Sequence, residues 1–314
     1  MSSLTRRAAL GLLTMALAYG GFSYAQRRRG AKEAQALYAR PLPKPDGAMR
    51  VYHLGHSLVG RDMPAMLAQL AGAGHRYDSQ LGWGTSLKEH WEPDAPINGF
   101  DVENAHPRFR AAKEALGSGE YDALVLTEMV EIEDAVRYHD SADYLAHWAG
   151  LAWGANPKTR IYLYETWHHT DDPAGWLARI DDDLRRFWQD SIKYPAFTKG
   201  DAPIHLIPAG QVMAGFIRAI TAQGGLEGVT GVNDIMAKNP DGTPDTIHFN
   251  DLGAYLVALT HFAVLYHRSP VGLPFALNRA DGTLADAPSP AVAALMQRVV
   301  WEVVQRHAET GVAA

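Results

Sequence analysis

The sequence predicts an α/β fold built in three layers, with helices on both faces of a mostly parallel sheet. Two observations lead there. Short apolar runs alternate with helix-patterned stretches over most of the chain, and several of the runs end in glycine or polar residues. There is no internal repeat and no second-domain linker.

Taken in order, Arg50 to Leu54 is an apolar run suited to a buried strand, and "DMPAMLAQLAGAG" carries Met63, Met66, Leu67 and Leu70 at helical spacing before Gly72-Ala73-Gly74 stops it. "YDALVLTE" (Tyr121 to Glu128) reads as a strand. "YLAHWAGLAWGANP" is helix-like, and "TRIYLYET" (Thr159 to Thr166) is a further strand. "WLARIDDDLRRFWQDSI" is an amphipathic helix with Asp181, Asp182 and Asp183 expected on its wet face. "PIHLIPAG" (Pro203 to Gly210) is a strand. Asn250 is placed to cap a long apolar helix, and Ser289 with Pro290 opens the last one. The polar segment from Lys88 to Arg110 is expected to lie over the sheet's active edge.

With 314 residues, 47% of them hydrophobic, the chain can bury a sizeable core. A formal charge of -6 gives no reason to expect a nucleic-acid partner. The absence of cysteine excludes disulfides, thiolate catalysis and cysteine-ligated metals. Residues 1–25 pair Arg6 and Arg7 with an uncharged stretch that ends in small residues. This is the layout of a Tat-type export signal, and the expected address is periplasmic or secreted. Arg27 to Arg29 follow at once, which keeps an uncleaved inner-membrane anchor open; that anchor is the only membrane contact expected. Residues 26–47 read as a proline-punctuated tether and residues 48–314 as the folded domain.

In parallel sheets, ligands bind outside the carboxyl ends of the strands. Gly55-His56-Ser57, Thr127-Glu128 and Glu165-Thr166-Trp167 all fall there. A serine nucleophile needs a base, and the base needs an acid to fix its tautomer. Asp245-x-x-His248, just before a capped helix, offers both in one loop, and no other Asp-x-x-His occurs in the chain.

Gly55-His56-Ser57-Leu58 after the first strand, followed by Asp245-x-x-His248 and Gly253-x-Tyr255 near the C-terminus, resembles the SGNH (GDSL-type) hydrolase superfamily over most of Arg50 to His267. The Gly-x-Ser-x-Gly elbow of the α/β-hydrolases is absent around Ser57. The resemblance implies a flavodoxin-like α/β/α sandwich, a Ser57-His248-Asp245 triad and no cofactor or metal. It also implies an oxyanion hole built from the Ser57 N–H and a glycine N–H of "GWGTSLKEHW". Gly84 is the first choice for that glycine and Gly82 the second.

Where family members carry an amide as third donor, this chain has Thr127-Glu128. A Thr hydroxyl can donate, whereas an ionised Glu cannot. Either Thr127 replaces the amide, or another group supplies the donor, or the activity has drifted. His56, Glu128, His90 and Trp167 are candidate site-lining residues, and Trp83 and Trp91 near the same edge invite a sugar-stacking role. Glu165, His168 and His169 suggest a metal, but adjacent histidines on a regular strand cannot both point inward, and a structural or substrate-contacting role is favoured.

The expected function is an exported serine esterase that removes a small acyl group, such as O-acetyl on carbohydrate. Its partner would be a small-molecule or carbohydrate ester. A periplasmic O-acetyltransferase using the same acyl-enzyme is the alternative, and a catalytically impaired module that binds glycan or protein is a third reading.

Overall fold

The computed structural model describes residues 32–33, 36–200 and 202–314. Strands β1 (Arg50–His56), β2 (Arg76–Gly82), β3 (Ala123–Leu126), β4 (Arg160–Glu165) and β5 (Ile204–Pro208) form one parallel sheet in the order β2-β1-β3-β4-β5. The predicted α/β/α architecture is therefore the observed one. β1 is an interior strand, second from the β2 edge, and the chain goes from it first to β2 on one side and then to β3 on the other. The strand order reverses around β1, where such sheets open a crevice beyond their carboxyl ends. Ser57 is the first residue past β1.

Alternation along each strand divides the core in two. Val51, Ala123, Val125, Tyr162, Tyr164 and Ile207 face α1 (Asp62–Ala71), α9 (Ala209–Ala222), α10 (Asp251–Tyr266) and α11 (Pro290–Arg306). Tyr52, Leu54, Leu124, Leu126, Ile161 and Leu163 face α2 (Leu87–Trp91), α4 (Ala112–Gly117), α5 (Ile132–Tyr138), α6 (Ser141–Ala155) and α8 (Tyr194–Gly200). Helix α7 (Trp176–Asp183) packs with the first group and runs on through a wider-wound segment, Leu184–Lys193, into the second. The short α3 (Phe100–Glu103) lies beside β2.

Several expectations need correction. β2 gives no strand signal in the sequence because its residues, "RYDSQLG", mix charge and amide with apolar side chains, as suits a strand at the sheet edge. The Lys88 to Arg110 segment does not simply cover the active edge. It folds back along the outside of β2, with Ser79 N–H donating to Arg108 O at 2.9 Å and Arg110 N–H to Ser79 O at 3.3 Å, and so shields a strand that would otherwise be open to pairing.

Asp183 leaves the wet face of its helix. It is buried beside Arg179, whose Nη2 is 3.0 Å from Asp183 Oδ2, whereas Asp181 and Asp182 are exposed. The expected tether is docked from Tyr38 onward. The Tyr38 hydroxyl donates to Ile204 O, Leu42 N–H to Gly311 O at 2.8 Å, and Arg160 Nη2 to Pro43 O at 2.7 Å. All three attachments lie at the amino ends of β4 and β5 or on the C-terminal segment packed there, across the sheet from Ser57.

The export signal and the possible anchor, residues 1–25, lie outside the described residues. Among the described residues, no helix is long and apolar enough to cross a membrane.

Candidate active site

β1 ends in a tight turn. Val59 N–H donates to His56 O at 2.9 Å, and Tyr164 OH donates to Leu58 O at 2.9 Å from two strands away. The glycine before the turn is required by space. A Cβ on Gly55 would sit 2.6 Å from Thr127 Cγ2 and 2.9 Å from Val59 Cγ2, closer than real side chains approach.

The candidate base and acid come from a different element. Asp245 and His248 lie on β7 (Pro244–Phe249), which pairs antiparallel with β6 (Met236–Lys238) rather than forming the loop expected. Asn250 caps α10 by accepting from Leu252 and Gly253 N–H, and its amide donates to Asp234 O at 2.9 Å. Trp167, buried after β4, donates its indole N–H to Ile247 O at 2.8 Å, next to His248.

These attachments bring three side chains together. His248 Nδ1 is 2.9 Å from Asp245 Oδ2, and His248 Nε2 is 3.0 Å from Ser57 Oγ. The Asp245 Oδ1 atom accepts the N–H groups of Ile247 and His248, both at 2.8 Å. Partial burial pushes the Asp245 carboxyl up, but the hydrogen bonds from His248 and Ile247 outweigh this and hold it below the ordinary aspartate range. An ionised carboxylate only accepts. Nδ1 therefore carries the imidazole proton, and Nε2 offers its lone pair to the Ser57 hydroxyl. The His248 side chain is 46% exposed, so the pair is reachable from solvent.

In the β1–β2 register His56 pairs with Gly82, the last pair, so the two chains leave the sheet at the same level, toward Ser57 on one strand and Trp83-Gly84 on the other. Gly84 has φ +58°, in the left-handed region, with open space where a Cβ would be. Among the described residues, neither the Ser57 nor the Gly84 N–H is taken up by a backbone carbonyl. The fallback, Gly82, is buried, and a Cβ there would lie 2.2 Å from Thr85 Oγ1.

The expectation for Thr127 does not survive. Its buried hydroxyl donates to Tyr164 O at 2.8 Å, and its methyl faces Gly55, so its single proton is committed inside the sheet. Thr127→Val should therefore lower kcat for an ester by less than about threefold, against the roughly 10²–10³ expected of an oxyanion donor. It should cost about 1–2 kcal/mol of stability through the lost hydrogen bond. Ester kinetics and urea melts on the same preparation read both.

His56, Glu128, His90 and Trp167 hold the site rather than line it. His56 is buried; its Nδ1 accepts Leu58 N–H at 3.3 Å and its Nε2 donates to Glu128 O at 2.8 Å. His90 is buried as well, with Nδ1 3.0 Å from Gln80 Nε2 and Nε2 donating to Gly55 O at 2.8 Å. Burial pushes both imidazoles down to about 4, so both are neutral when the base must be. Glu128 accepts from Met129 N–H at 2.8 Å and from Leu87 N–H, at the start of α2, at 3.2 Å.

Burial pushes the Glu128 carboxyl up to about 7. A carboxyl whose folded value lies above its unfolded one binds more protons in the folded state. Stability from this group is full below the unfolded value and falls as pH rises toward about 7, by about 3 kcal/mol in all. Glu128→Gln should flatten that part of the stability profile, read as Tm against pH from 4.5 to 8. An unchanged slope would mean that Glu128 is ionised throughout.

The residues that suggested a metal go three ways. Glu165 accepts from Gln211 N–H at 3.2 Å at the start of α9; His168 lies inside, 3.4 Å from Asp183; His169 lies outside, Nδ1 2.9 Å from Thr246 Oγ1. Among the described residues, no group of three histidine or acidic side chains is arranged to hold a metal ion.

The tryptophans separate similarly. Trp91 stacks on His147 with ring centroids 5.1 Å apart, and only Trp83 is half exposed. Its ring lies over Gly99, where a Cβ would come within 2.3 Å, and its N–H donates to Glu103 Oε1 at 2.8 Å.

No family model matches the chain, and no curated protein matches it. Among solved structures it is similar to one described as a GDSL-like lipase from Parabacteroides merdae, at 13% identity over 69% of this chain and 96% of that one, with a TM-score of 0.41. A carbohydrate acetylesterase from Sinorhizobium meliloti matches at 12% identity over 69% and 96%, with a TM-score of 0.34. A gut microbial diltiazem-metabolizing enzyme matches at 11% identity over 72% of this chain and 49% of that one, with a TM-score of 0.37.

Proposed function

We propose that the protein is a serine esterase of the SGNH type. The observation that carries this reading is the continuous chain from Asp245 through His248 to Ser57, with contacts of 2.9 and 3.0 Å. In the mechanism, Ser57 Oγ attacks the ester carbonyl while His248 Nε2 takes its proton, and Asp245 stabilises the imidazolium that forms. The Ser57 and Gly84 N–H groups receive the oxyanion. His248 then gives its proton to the leaving alcohol, and water repeats the cycle on the acyl-enzyme.

The leaving alcohol belongs to a carbohydrate, and the acyl group is small, in this reading. The half-exposed Trp83 ring, fixed from below by Gly99 and adjacent to Gly84, offers a flat face for a sugar. The openness of His248 suits an ester carried on a polymer. Export to a periplasm or beyond, inferred from Arg6, Arg7 and the apolar stretch after them, agrees with such a substrate.

The test is turnover of p-nitrophenyl acetate and release of acetate from O-acetylated oligosaccharides, each beside Ser57→Ala. No turnover of either above the Ser57→Ala background would overturn the reading. Acetyl transfer to an added sugar acceptor, in place of acetate release, would assign the same residues to an acyltransferase.

A further inference from the structure

A cavity of about 610 Å³ opens at Gly60, three residues after Ser57. It lies between the start of α1, the segment after α3, and the loop at Arg279 to Asp281. Three residues of chain span at most about 11 Å, so its rim is within reach of a disaccharide whose ester sits at Ser57. Helix α3 ties the cavity to the same edge: Glu103 at its end holds Trp83, and His106 enters the cavity wall three residues on.

The polar groups of the wall are unevenly satisfied. Arg61 and Arg108 both line the cavity, and among the described residues neither guanidinium has an ion-pair partner; Arg108 lies over the Tyr77 ring at 5.2 Å. His106 Nδ1 accepts Arg108 N–H at 3.1 Å, which leaves the proton on Nε2. That Nε2 is buried and forms no hydrogen bond of ordinary geometry among the described residues, although the Glu103 carbonyl lies close to the ring. A buried donor that is poorly satisfied is destabilising, and a ligand acceptor would relieve it.

The other wall carries carboxylates. Asp62 Oδ1 accepts Ala280 N–H at 2.9 Å, and Asp281 Oδ1 accepts Thr283 N–H at 2.8 Å, which leaves the second oxygen of each without a hydrogen-bond partner among the described residues. Arg279, between them, is already paired with Asp251.

We infer that this cavity binds an acidic sugar unit of the substrate, its carboxylate on Arg61, Arg108 and His106 and its hydroxyls on Asp62 and Asp281. The inference rests on the esterase reading for the word substrate, and extends it: the ester would be carried on a uronic-acid-containing glycan. A lone anion uses one wall only, whereas a sugar that bears both a carboxylate and hydroxyl donors uses both.

The experiment compares one O-acetylated oligosaccharide that contains a uronic acid with its carboxyl-reduced counterpart. The full chain and the exposed Arg61→Gln/Arg108→Gln variant are assayed, with Arg108→Gln alone as the milder change. The expected result is a rise in KM of roughly tenfold or more for the acidic substrate in the double variant, with kcat retained, and no change for the reduced one. Added salt should raise KM for the acidic substrate alone. Equal effects on both substrates, or none on either, would overturn the inference.

Calorimetric binding of the deacetylated acidic oligosaccharide, and separately of inorganic phosphate, to the Ser57→Ala protein keeps the two readings apart. Binding of the oligosaccharide that is lost in the arginine variants would uphold the cavity even if no ester were turned over. Binding of phosphate as tight as that of the oligosaccharide would reduce the site to an anion site and overturn the sugar assignment.

Discussion

Ser57→Ala should reduce kcat for p-nitrophenyl acetate by about 10⁶-fold, leaving only what the amide dipoles and binding provide. The substitution removes one oxygen from a half-buried position in a turn that is held by other groups: Tyr164 OH on Leu58 O, His90 on Gly55 O and His56 on Glu128 O. The fold should therefore be unaffected, with a Tm within a few degrees of the parent. A variant that kept a tenth of the parental rate would show that Ser57 is not the nucleophile. Loss of activity with loss of fold is excluded by the same Tm.

Asp245→Asn should lower kcat by about 10⁴-fold with little effect on stability. The asparagine oxygen can still accept the N–H groups of Ile247 and His248 that Asp245 Oδ1 accepts at 2.8 Å. Its NH₂ then faces His248 Nδ1 as a donor. The imidazole must carry its proton on Nε2, pointing at Ser57 with a hydrogen where a lone pair is needed. The charge that stabilises the imidazolium is lost in the same step. Steady-state kinetics across pH measure this. A loss below about tenfold would mean that Asp245 does not set the tautomer of His248.

Much of the fold was legible because the central strands are buried on both faces and so read as apolar runs: "RVYHL", "ALVL" and "RIYLY" need no context. β2 was not, since Asp78, Ser79 and Gln80 give no apolar run, and what protects that strand, Arg108 to Arg110, comes some thirty residues later. In the candidate site, Asp245 and His248 were legible because three residues of one chain fix their proximity, and Ser57 because a glycine-bounded strand end has few uses.

Thr127 was misread for a reason no local pattern reveals. Its hydroxyl goes to Tyr164 O because Leu126 pairs with Leu163 across β3 and β4, which puts Thr127 beside Tyr164. His90 and Trp167 were expected in the cleft. They lie one layer behind it, bonded to Gly55 O and Ile247 O, and those long-range partners are invisible in a single sequence.

The docking of Tyr38, Leu42 and Pro43 at the amino ends of β4 and β5 bears on how the molecule meets its surroundings. The chain enters the domain at the pole opposite Ser57, so any pull or anchorage transmitted through it acts on the rear of the domain. A load applied there falls on the amino ends of β4 and β5 and leaves the end of the sheet that carries Ser57 and His248 free of it.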